Sequence, residues 1–124
     1  MTQQRRDKHS TEFGLWLRQQ PPLDSIERGL TTTDIDYIWY DYKVTGKWMI
    51  LEEKRDGNDC TASQHSTLEL LHKACRSDPK FCGVHLLQFE NTSPDDGRMW
   101  LDKKEITCEQ LLLFLRFEIY DNLT

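Results

Sequence analysis

The sequence predicts an α/β protein of the α+β type, in which helices flank a mixed β-sheet. Stretches with apolar side chains at helical spacing alternate along the chain with short runs rich in β-branched and aromatic residues. A chain of 124 residues is also long enough to bury one hydrophobic core. We therefore expect one domain over residues 10–124, in the order α-β-β-α-β-β-α, after a flexible tail over residues 1–9.

The first half of the chain predicts a helix and a β-hairpin. Residues 10–20 carry apolar side chains at helical spacing, and Pro21 disfavours helix for the residues before it. Residues 33–40 and 47–54 are both rich in β-branched and aromatic side chains, which is typical of strands. A three-residue loop over 44–46, closed by a glycine, is a common hairpin connection and predicts that the two strands pair.

The second half predicts a helix, a second hairpin and a closing helix. Thr61 or Ser63 can cap a helix that ends near residues 77–79. Strands are expected over 81–91 and 98–101, with a turn rich in Pro, Asp and Gly between them. The last helix is predicted by a capping box, the Thr-x-x-Gln pattern of residues 107–110, and its apolar face is expected to consist of four residues. These are Leu111, Phe114, Leu115 and Ile119.

Four aromatic residues lie in and just after the first predicted strand: Tyr37, Trp39, Tyr40 and Tyr42. Aromatic side chains can stack on the bases of nucleic acid. Alternating aromatics in a strand, however, more often pack in a hydrophobic core. We therefore expect these four side chains to be core residues.

Acidic and basic side chains share one face of the predicted hairpin. Successive side chains in a strand alternate between faces, so Asp34 and Asp36 point the same way, as do Glu52 and Lys54 on the partner strand. The predicted loop sets Lys43 opposite Lys47, which places Asp36 opposite Lys54. Glu52 is then diagonal to Asp36, at roughly 7 to 8 Å.

Two carboxylates on adjacent strands repel each other, and each loses hydration when buried. A divalent cation would relieve this cost, and oxygen ligands favour Mg²⁺ or Mn²⁺. Asp36, Glu52 and the backbone carbonyl of Glu53 are the predicted metal ligands. Such a metal lowers the pKa of bound water and neutralises charge at a phosphorus centre. Lys54 would orient that water or stabilise the transition state.

Asp36 on one strand, followed by Glu52-x-Lys54 on the next, resembles the PD-(D/E)XK nuclease superfamily. The resemblance covers about residues 10–90 with the flanking helices, although Ile35 replaces the proline of the family pattern. It implies a restriction endonuclease-like core that cuts phosphodiester bonds with Mg²⁺, and paired subunits that act on DNA as a homodimer. It further implies a catalytic role for Gln64 and, by likeness to several branches, an acid at Glu12.

Each candidate residue also has a simpler interpretation. The charged residues of the two strands could form a solvated face, although Trp48 and Ile50 on that face favour burial. Asp34 is either a group that supports the metal ligands or a solvated strand end. Gln64 is either a site residue on the apolar stripe of its helix or part of a frayed helix start. An acid such as Glu12 is also favoured in a first helical turn by the helix dipole.

Charge and composition bear on the partner and the location. The net charge of −5 disfavours nucleic acid, because phosphate contacts normally need a basic surface. Ten basic residues could nevertheless form a rim around the acidic centre. They are Arg5, Arg6, Lys8, Lys54, Arg55, Lys73, Arg76, Lys80, Lys103 and Lys104. Residues 1–9 contain no apolar stretch that could act as a signal peptide or a membrane span, so we expect a cytoplasmic protein without membrane contact.

The sequence leaves three classes of function. The first is a metal-dependent nuclease that acts on nucleic acid, with DNA as the expected substrate. The second is a non-catalytic module that binds nucleic acid or protein on the same scaffold, which the acidic charge and the small size favour. The third is a structural or assembly role, for which apolar surface on the last helix would be the sign.

Overall fold

The computed structural model describes residues 12–20 and 33–118, and the chain divides into two units between residues 32 and 33. In the N-terminal unit, helix α1 spans Glu12–Arg18, inside the predicted range of 10–20. The rings of Phe13 and Trp16 stack on this helix with centroids 6.0 Å apart. The tail predicted for residues 1–9 lies outside the described residues.

The second unit contains five strands and two helices. The strands are β1 (Tyr37–Tyr40), β2 (Trp48–Lys54), β3 (Phe81–Phe89), β4 (Met99–Leu101) and β5 (Lys104–Glu105). The helices are α2 (Ala62–Cys75) and α3 (Cys108–Leu115). The strands form one sheet in the order β1-β2-β3-β4-β5, in which β2 and β3 are parallel and the other pairs are antiparallel. The predicted mixed sheet with flanking helices is thus confirmed.

The predicted element order was wrong by one strand, because β5 follows β4. The turn between them consists of Asp102 and Lys103, whose φ angles are 51° and 72°. Two consecutive positive φ angles define a tight hairpin turn that normally contains Asn or Gly. Asp102 is held in this turn because its Oδ1 accepts the peptide N–H of Leu86 at 2.9 Å. A turn of the sequence Asp-Lys gave no recognisable signal.

Helix α2 connects the two parallel strands, since parallel neighbours cannot be joined by a short turn. The helix begins as predicted at Thr61, whose hydroxyl accepts the peptide N–H of Gln64, while the Gln64 side chain accepts the peptide N–H of Thr61. Where the chain returns into β3, the strand pairing shifts by one residue near Gly83, whose φ is 102°. Helix α2 therefore lies against the sheet face that carries Lys54, to which Gln64 is hydrogen-bonded.

The opposite face of the sheet carries the main hydrophobic core. Helix α3 begins at the predicted capping box, and its Leu111 and Phe114 are buried as expected. Ile119 lies outside the described residues. Ten buried side chains form the core cluster: Met49, Leu51, Leu87, Phe89, Met99, Leu101, Ile106, Leu111, Phe114 and Phe117. Alternation along β2 thus sends Met49 and Leu51 into this core, and Glu52 and Lys54 to the face under α2.

The predicted hairpin register was wrong by two residues. Tyr40 pairs with Trp48 and Tyr37 pairs with Leu51, so Lys43 does not lie opposite Lys47 in the ladder. The connection is longer than predicted because the Asp41 carboxylate accepts the Thr45 hydroxyl at 2.7 Å and organises the loop. A shift of two residues preserves the faces, because side chains alternate with a period of two.

The prediction that the β1 aromatics are core residues was also wrong. Tyr37, Trp39 and Tyr40 are 49%, 43% and 58% exposed, and Tyr42 is 68% exposed. Strand β1 is the edge strand of the sheet that the structure describes, where it pairs with β2. Its side chains are therefore less covered than those of the central strands, although the Trp39 Nε1 still donates to the Leu115 carbonyl at the end of α3, at 2.6 Å.

Candidate functional site

The register brings two acids directly opposite each other. Tyr37 pairs with Leu51, so the residue before it, Asp36, stands opposite Glu52. The predicted partner of Asp36 was Lys54, with Glu52 on the diagonal. Directly opposite positions are about 4.5 to 5.5 Å apart in an antiparallel pair. The Cα atoms of the two acids are thus closer together than the sequence predicted.

Glu52 is the most unusual side chain of this face. It is only 3% exposed, and its Oε1 has no hydrogen-bond partner among the described residues. Burial raises the pKa of the Glu52 carboxyl, and the nearby charge of Asp36 raises this pKa further. The Asp36 peptide N–H and the Lys54 ammonium lower it to a smaller extent. A buried carboxylate with an unpaired oxygen is costly, so this group calls for an additional partner.

Lys54 and Gln64 complete the cluster. The Lys54 Nζ donates to Gln64 Oε1 at 2.9 Å and lies 4.0 Å from Glu52 Oε2. Gln64 is fixed at the start of α2, because the same Oε1 also accepts the peptide N–H of Thr61 at 2.9 Å. The structure therefore shows Gln64 both beside the predicted site and in a helix cap.

Glu53 contributes to this site only through its backbone. Its peptide N–H donates to Asp36 Oδ2 at 2.9 Å and so points toward β1. The N–H and C=O of one strand residue point to the same side, which directs the Glu53 carbonyl toward the β1 side as well. The Glu53 side chain lies on the other face, where it accepts the Tyr37 hydroxyl at 3.1 Å and pairs with Arg55 at 3.0 Å.

Carboxylate and carbonyl oxygens are the ligands that a hard cation with part of its water shell takes. Within residues 12–20 and 33–118, no group of three or more His, Cys, Asp and Glu side chains is arranged to hold a metal ion. Asp36, Glu52 and the Glu53 carbonyl offer two carboxylates and one neutral oxygen. Mg²⁺ characteristically takes one or two carboxylates and fills its remaining positions with water or phosphate. The unpartnered Glu52 Oε1 is the atom that such an ion would satisfy.

Two further residues were predicted for the site, Asp34 and Glu12. Asp34 is exposed in the segment before β1, two residues from Asp36. Glu12 lies in the first turn of α1, in the N-terminal unit of the chain. Each position fits its simpler interpretation, as a solvated strand end and as an acid at a helix start. Their roles in the site stay predictions.

Apart from Lys54, three of the seven residues of the predicted basic rim that the structure describes are paired with acids. Arg55 pairs with Glu53, Lys73 with Glu69, and Lys103 with Asp59. Such exposed pairs are weak, but they place acids beside the lysines and arginines that would attract phosphate. Arg5, Arg6 and Lys8 lie outside the described residues.

Sequence reasoning missed one polar side chain of this face. Gln88 on β3 pairs with Lys54 on β2, so the two side chains are neighbours on the same face. Gln88 is 9% exposed, and its Nε2 donates to the Asn58 carbonyl at 2.9 Å, which ties the loop after β2 to the sheet. A single amide inside the apolar run of β3 was the available signal, but only the parallel pairing shows that it adjoins Lys54.

Comparison with protein-family models, with curated proteins and with solved structures found no match for this chain. The resemblance to nucleases therefore stays a prediction made from the sequence pattern of Asp36, Glu52, Lys54 and Gln64. Among the helices of the two described ranges, none has the length and apolar character needed to cross a bilayer.

Proposed function

We propose that this protein is a metal-dependent nuclease that hydrolyses phosphodiester bonds, with DNA as the substrate and the cytoplasm as its location. The observation that carries the proposal is Glu52, a buried acid with an unpartnered oxygen, directly opposite Asp36 and within 4.0 Å of Lys54. An arrangement of this kind is unfavourable for folding alone. It is useful where a divalent cation and a phosphate must be held together.

The chain's own residues have separable roles in this mechanism. Asp36, Glu52 and the Glu53 carbonyl would hold the cation, which when bound supplies charge neutralisation at phosphorus and a more acidic water. The Lys54 ammonium has three donors, of which Gln64 Oε1 takes one. The remaining donors can reach the attacking water or a phosphate oxygen. Gln64 fixes the direction of the ammonium, because its own position is set by the cap of α2.

Cleavage assays with single-site variants test the proposal. The wild-type chain should cut linear, circular or single-stranded DNA, or RNA, in Mg²⁺ or Mn²⁺, and should lose this activity in EDTA. Glu52→Gln and Lys54→Ala should reduce the rate to background, because each removes a group that contacts the reacting centre. Glu53→Gln is the matched control. It changes the neighbouring acid, keeps the Glu53 backbone carbonyl, and should cut within about twofold of wild type, since the Glu53 side chain lies on the other face of the sheet with Tyr37 and Arg55.

The control variant also defines failure. If Glu52→Gln and Lys54→Ala, both shown to be folded, cut as fast as the wild type, the proposed site is wrong. If no variant and no wild-type preparation cuts any of these substrates, the second candidate function takes precedence. That candidate is a non-catalytic module that binds nucleic acid or protein, and it is favoured by the acids that pair with Arg55, Lys73 and Lys103 of the predicted basic rim.

A further inference from the structure

A cavity lies on the same sheet face as the acidic site, toward the hairpin end of β1 and β2. Its volume is about 370 Å³. Six residues line it: Ile38, Tyr40, Gly46, Trp48, Asp78 and Lys80. Tyr40 and Trp48 are paired across the two strands, and the same register sets Asp36, just before β1, opposite Glu52. The cavity and the acidic site therefore lie at two positions along the same pair of strands.

The walls of this cavity include two aromatic rings with different supports. Trp48 is held in place, because its ring packs on Phe81 with centroids 4.6 Å apart and its Nε1 donates to Asp78 Oδ2 at 3.1 Å. Tyr40 is 58% exposed, and its ring contacts only Tyr42 among the described aromatic rings, at 6.0 Å. One wall is thus fixed and the other is open to a flat ligand, which is the arrangement that stacking requires.

The lining of the cavity includes one basic side chain, Lys80. The aliphatic stem of Lys80 passes close to Gly46, where an added Cβ would be 3.9 Å from Lys80 Cδ and Cε. The one acid in the lining, Asp78, is engaged by internal donors, since it accepts from the Trp48 ring and from the peptide N–H of Lys80. A ligand with a flat apolar part and an anionic part would match the two rings and this ammonium.

The distance between the cavity and the acidic site corresponds to a few nucleotides of a nucleic-acid strand. Glu52 and Trp48 are four residues apart on β2, which corresponds to about 13 Å at the rise of a strand. This is about four base steps at ~3.4 Å per stacked nucleotide, and fewer when the strand is extended. We infer that the cavity holds an unpaired base of a nucleic-acid strand whose scissile phosphate lies at Asp36 and Glu52, so that the substrate is single-stranded where it is bound. This inference rests on the proposed function.

Binding measured without catalysis tests the inference independently. Fluorescence anisotropy should be recorded with labelled oligo-dT, oligo-U and a DNA duplex, in EDTA, so that no cleavage occurs. Tyr40→Ala should weaken binding of the single strands about fivefold or more, because stacking of one base on an aromatic ring contributes at least that factor. Lys80→Gln should weaken binding of every strand and flatten its dependence on salt. The oligo-dT and oligo-U arms distinguish DNA from RNA.

Tyr37→Ala is the matched control, since Tyr37 is the same residue type on the same strand but points to the other face. It should leave single-strand binding unchanged. If Tyr40→Ala binds single strands as the wild type does, or if it loses stability while binding is unchanged, the inference is wrong and Tyr40 has a packing role. If Tyr40→Ala weakens binding but the wild type never cuts, the base site stands and the nuclease proposal fails. If the wild type cuts DNA or RNA but Tyr40→Ala binds single strands as the wild type does, the nuclease proposal stands and the base site is wrong.

Discussion

Glu52 and Glu53 are neighbours in one strand, and their environments are opposite. Glu52 is buried at 3% exposure, faces another acid and leaves one oxygen without a partner among the described residues. Glu53 has both carboxylate oxygens engaged, one by the Tyr37 hydroxyl and one by Arg55. The alternation of a β-strand separates them onto two faces. The same residue type is therefore satisfied within the fold at one position and left in need of a partner at the next.

Under the proposed function, this contrast separates a side chain that stabilises the fold, Glu53, from one that would bind a ligand, Glu52. A protein selected only for stability would replace a buried, poorly paired acid with an apolar residue, because such swaps are often neutral or stabilising. If the proposed cation site is correct, Glu52 lowers the stability of the metal-free protein in exchange for binding the ion. Substitutions at the two positions should accordingly have different effects on metal binding, on pH dependence and on stability.

The largest expected difference is in stabilisation by metal. Mn²⁺ at roughly 100 times its dissociation constant should raise the free energy of unfolding of the wild type by about 2.7 kcal/mol, because the ion binds the folded chain. Glu52→Gln should abolish this gain, since it removes a charged ligand. Glu53→Gln should keep it. Thermal unfolding with and without Mn²⁺ measures all three proteins.

Asp36→Asn is a second test of the same site. It removes the opposing carboxylate, so it should also abolish the stabilisation by Mn²⁺. A gain that persists in both Glu52→Gln and Asp36→Asn would place the cation elsewhere on the chain. A gain that is lost equally in Glu53→Gln would show that the two neighbours are not distinct in the way their contacts indicate.

The second difference is in how stability depends on pH without metal. The pKa of Glu52 is raised above its ordinary value of 4.5, chiefly by burial. Above pH 4.5 the unfolded chain releases this proton while the folded chain still holds it, so the folded state loses stability as the pH rises to the raised pKa. Each unit of increase in the pKa corresponds to about 1.4 kcal/mol. Urea unfolding from pH 4 to 8 should show this loss in the wild type.

Glu52→Gln should not lose stability in this way as the pH rises. The difference in the free energy of unfolding between the wild type and Glu52→Gln should therefore grow from pH 4.5 upward and then level off. The two proteins must be compared because other acids act in the opposite direction. Four carboxyl groups have lowered pKa values, so the protein loses their contribution to stability as the pH falls: Asp41, Asp59, Asp96 and Glu105. Identical pH profiles for wild type and Glu52→Gln would contradict the unusual environment of Glu52. Mn²⁺ should suppress the loss, because it binds the ionised carboxylate.

Local signals predicted much of this fold and of the site. The capping boxes at Thr61 and Thr107 located two helix starts, and the alternation of β2 correctly put Glu52 and Lys54 on one face. The register was not predictable from loop length, because the Asp41 side chain reorganises the connection to β2. The faces were nevertheless correct, since the error was an even number of residues.

Burial of β1 was harder to predict than its strand character. Aromatic and β-branched residues such as Tyr37, Ile38 and Trp39 favour a strand in any sheet. Whether those side chains are covered depends on the position of the strand in the sheet, and β1 lies at an edge. Sheet order depends on contacts distant in sequence, so composition alone could not show that these residues are exposed. The same limit hid Gln88, which adjoins Lys54 only through the pairing of β2 with β3.

The smallest expected effects come from comparing the two capping boxes. Gln110 accepts only the peptide N–H of Thr107 in the described contacts, whereas Gln64 accepts both the peptide N–H of Thr61 and the Lys54 ammonium. Gln110→Ala and Gln64→Ala should each destabilise the protein by about 1 kcal/mol, the typical value of one such hydrogen bond. Only Gln64→Ala should also slow cleavage, because Lys54 then loses the group that directs it.

Urea unfolding and cleavage rates, measured on the same two variants, separate these roles. Equal losses of stability with a rate defect confined to Gln64→Ala would assign Gln64 to the positioning of Lys54, beyond its part in the helix cap. Gln64→Glu sharpens the comparison, because glutamate retains an acceptor for both the Thr61 N–H and the Lys54 ammonium and should restore most of the rate. A rate that falls equally in Gln64→Ala and Gln110→Ala would reduce Gln64 to a capping residue, since loss of helix stability would then account for both defects.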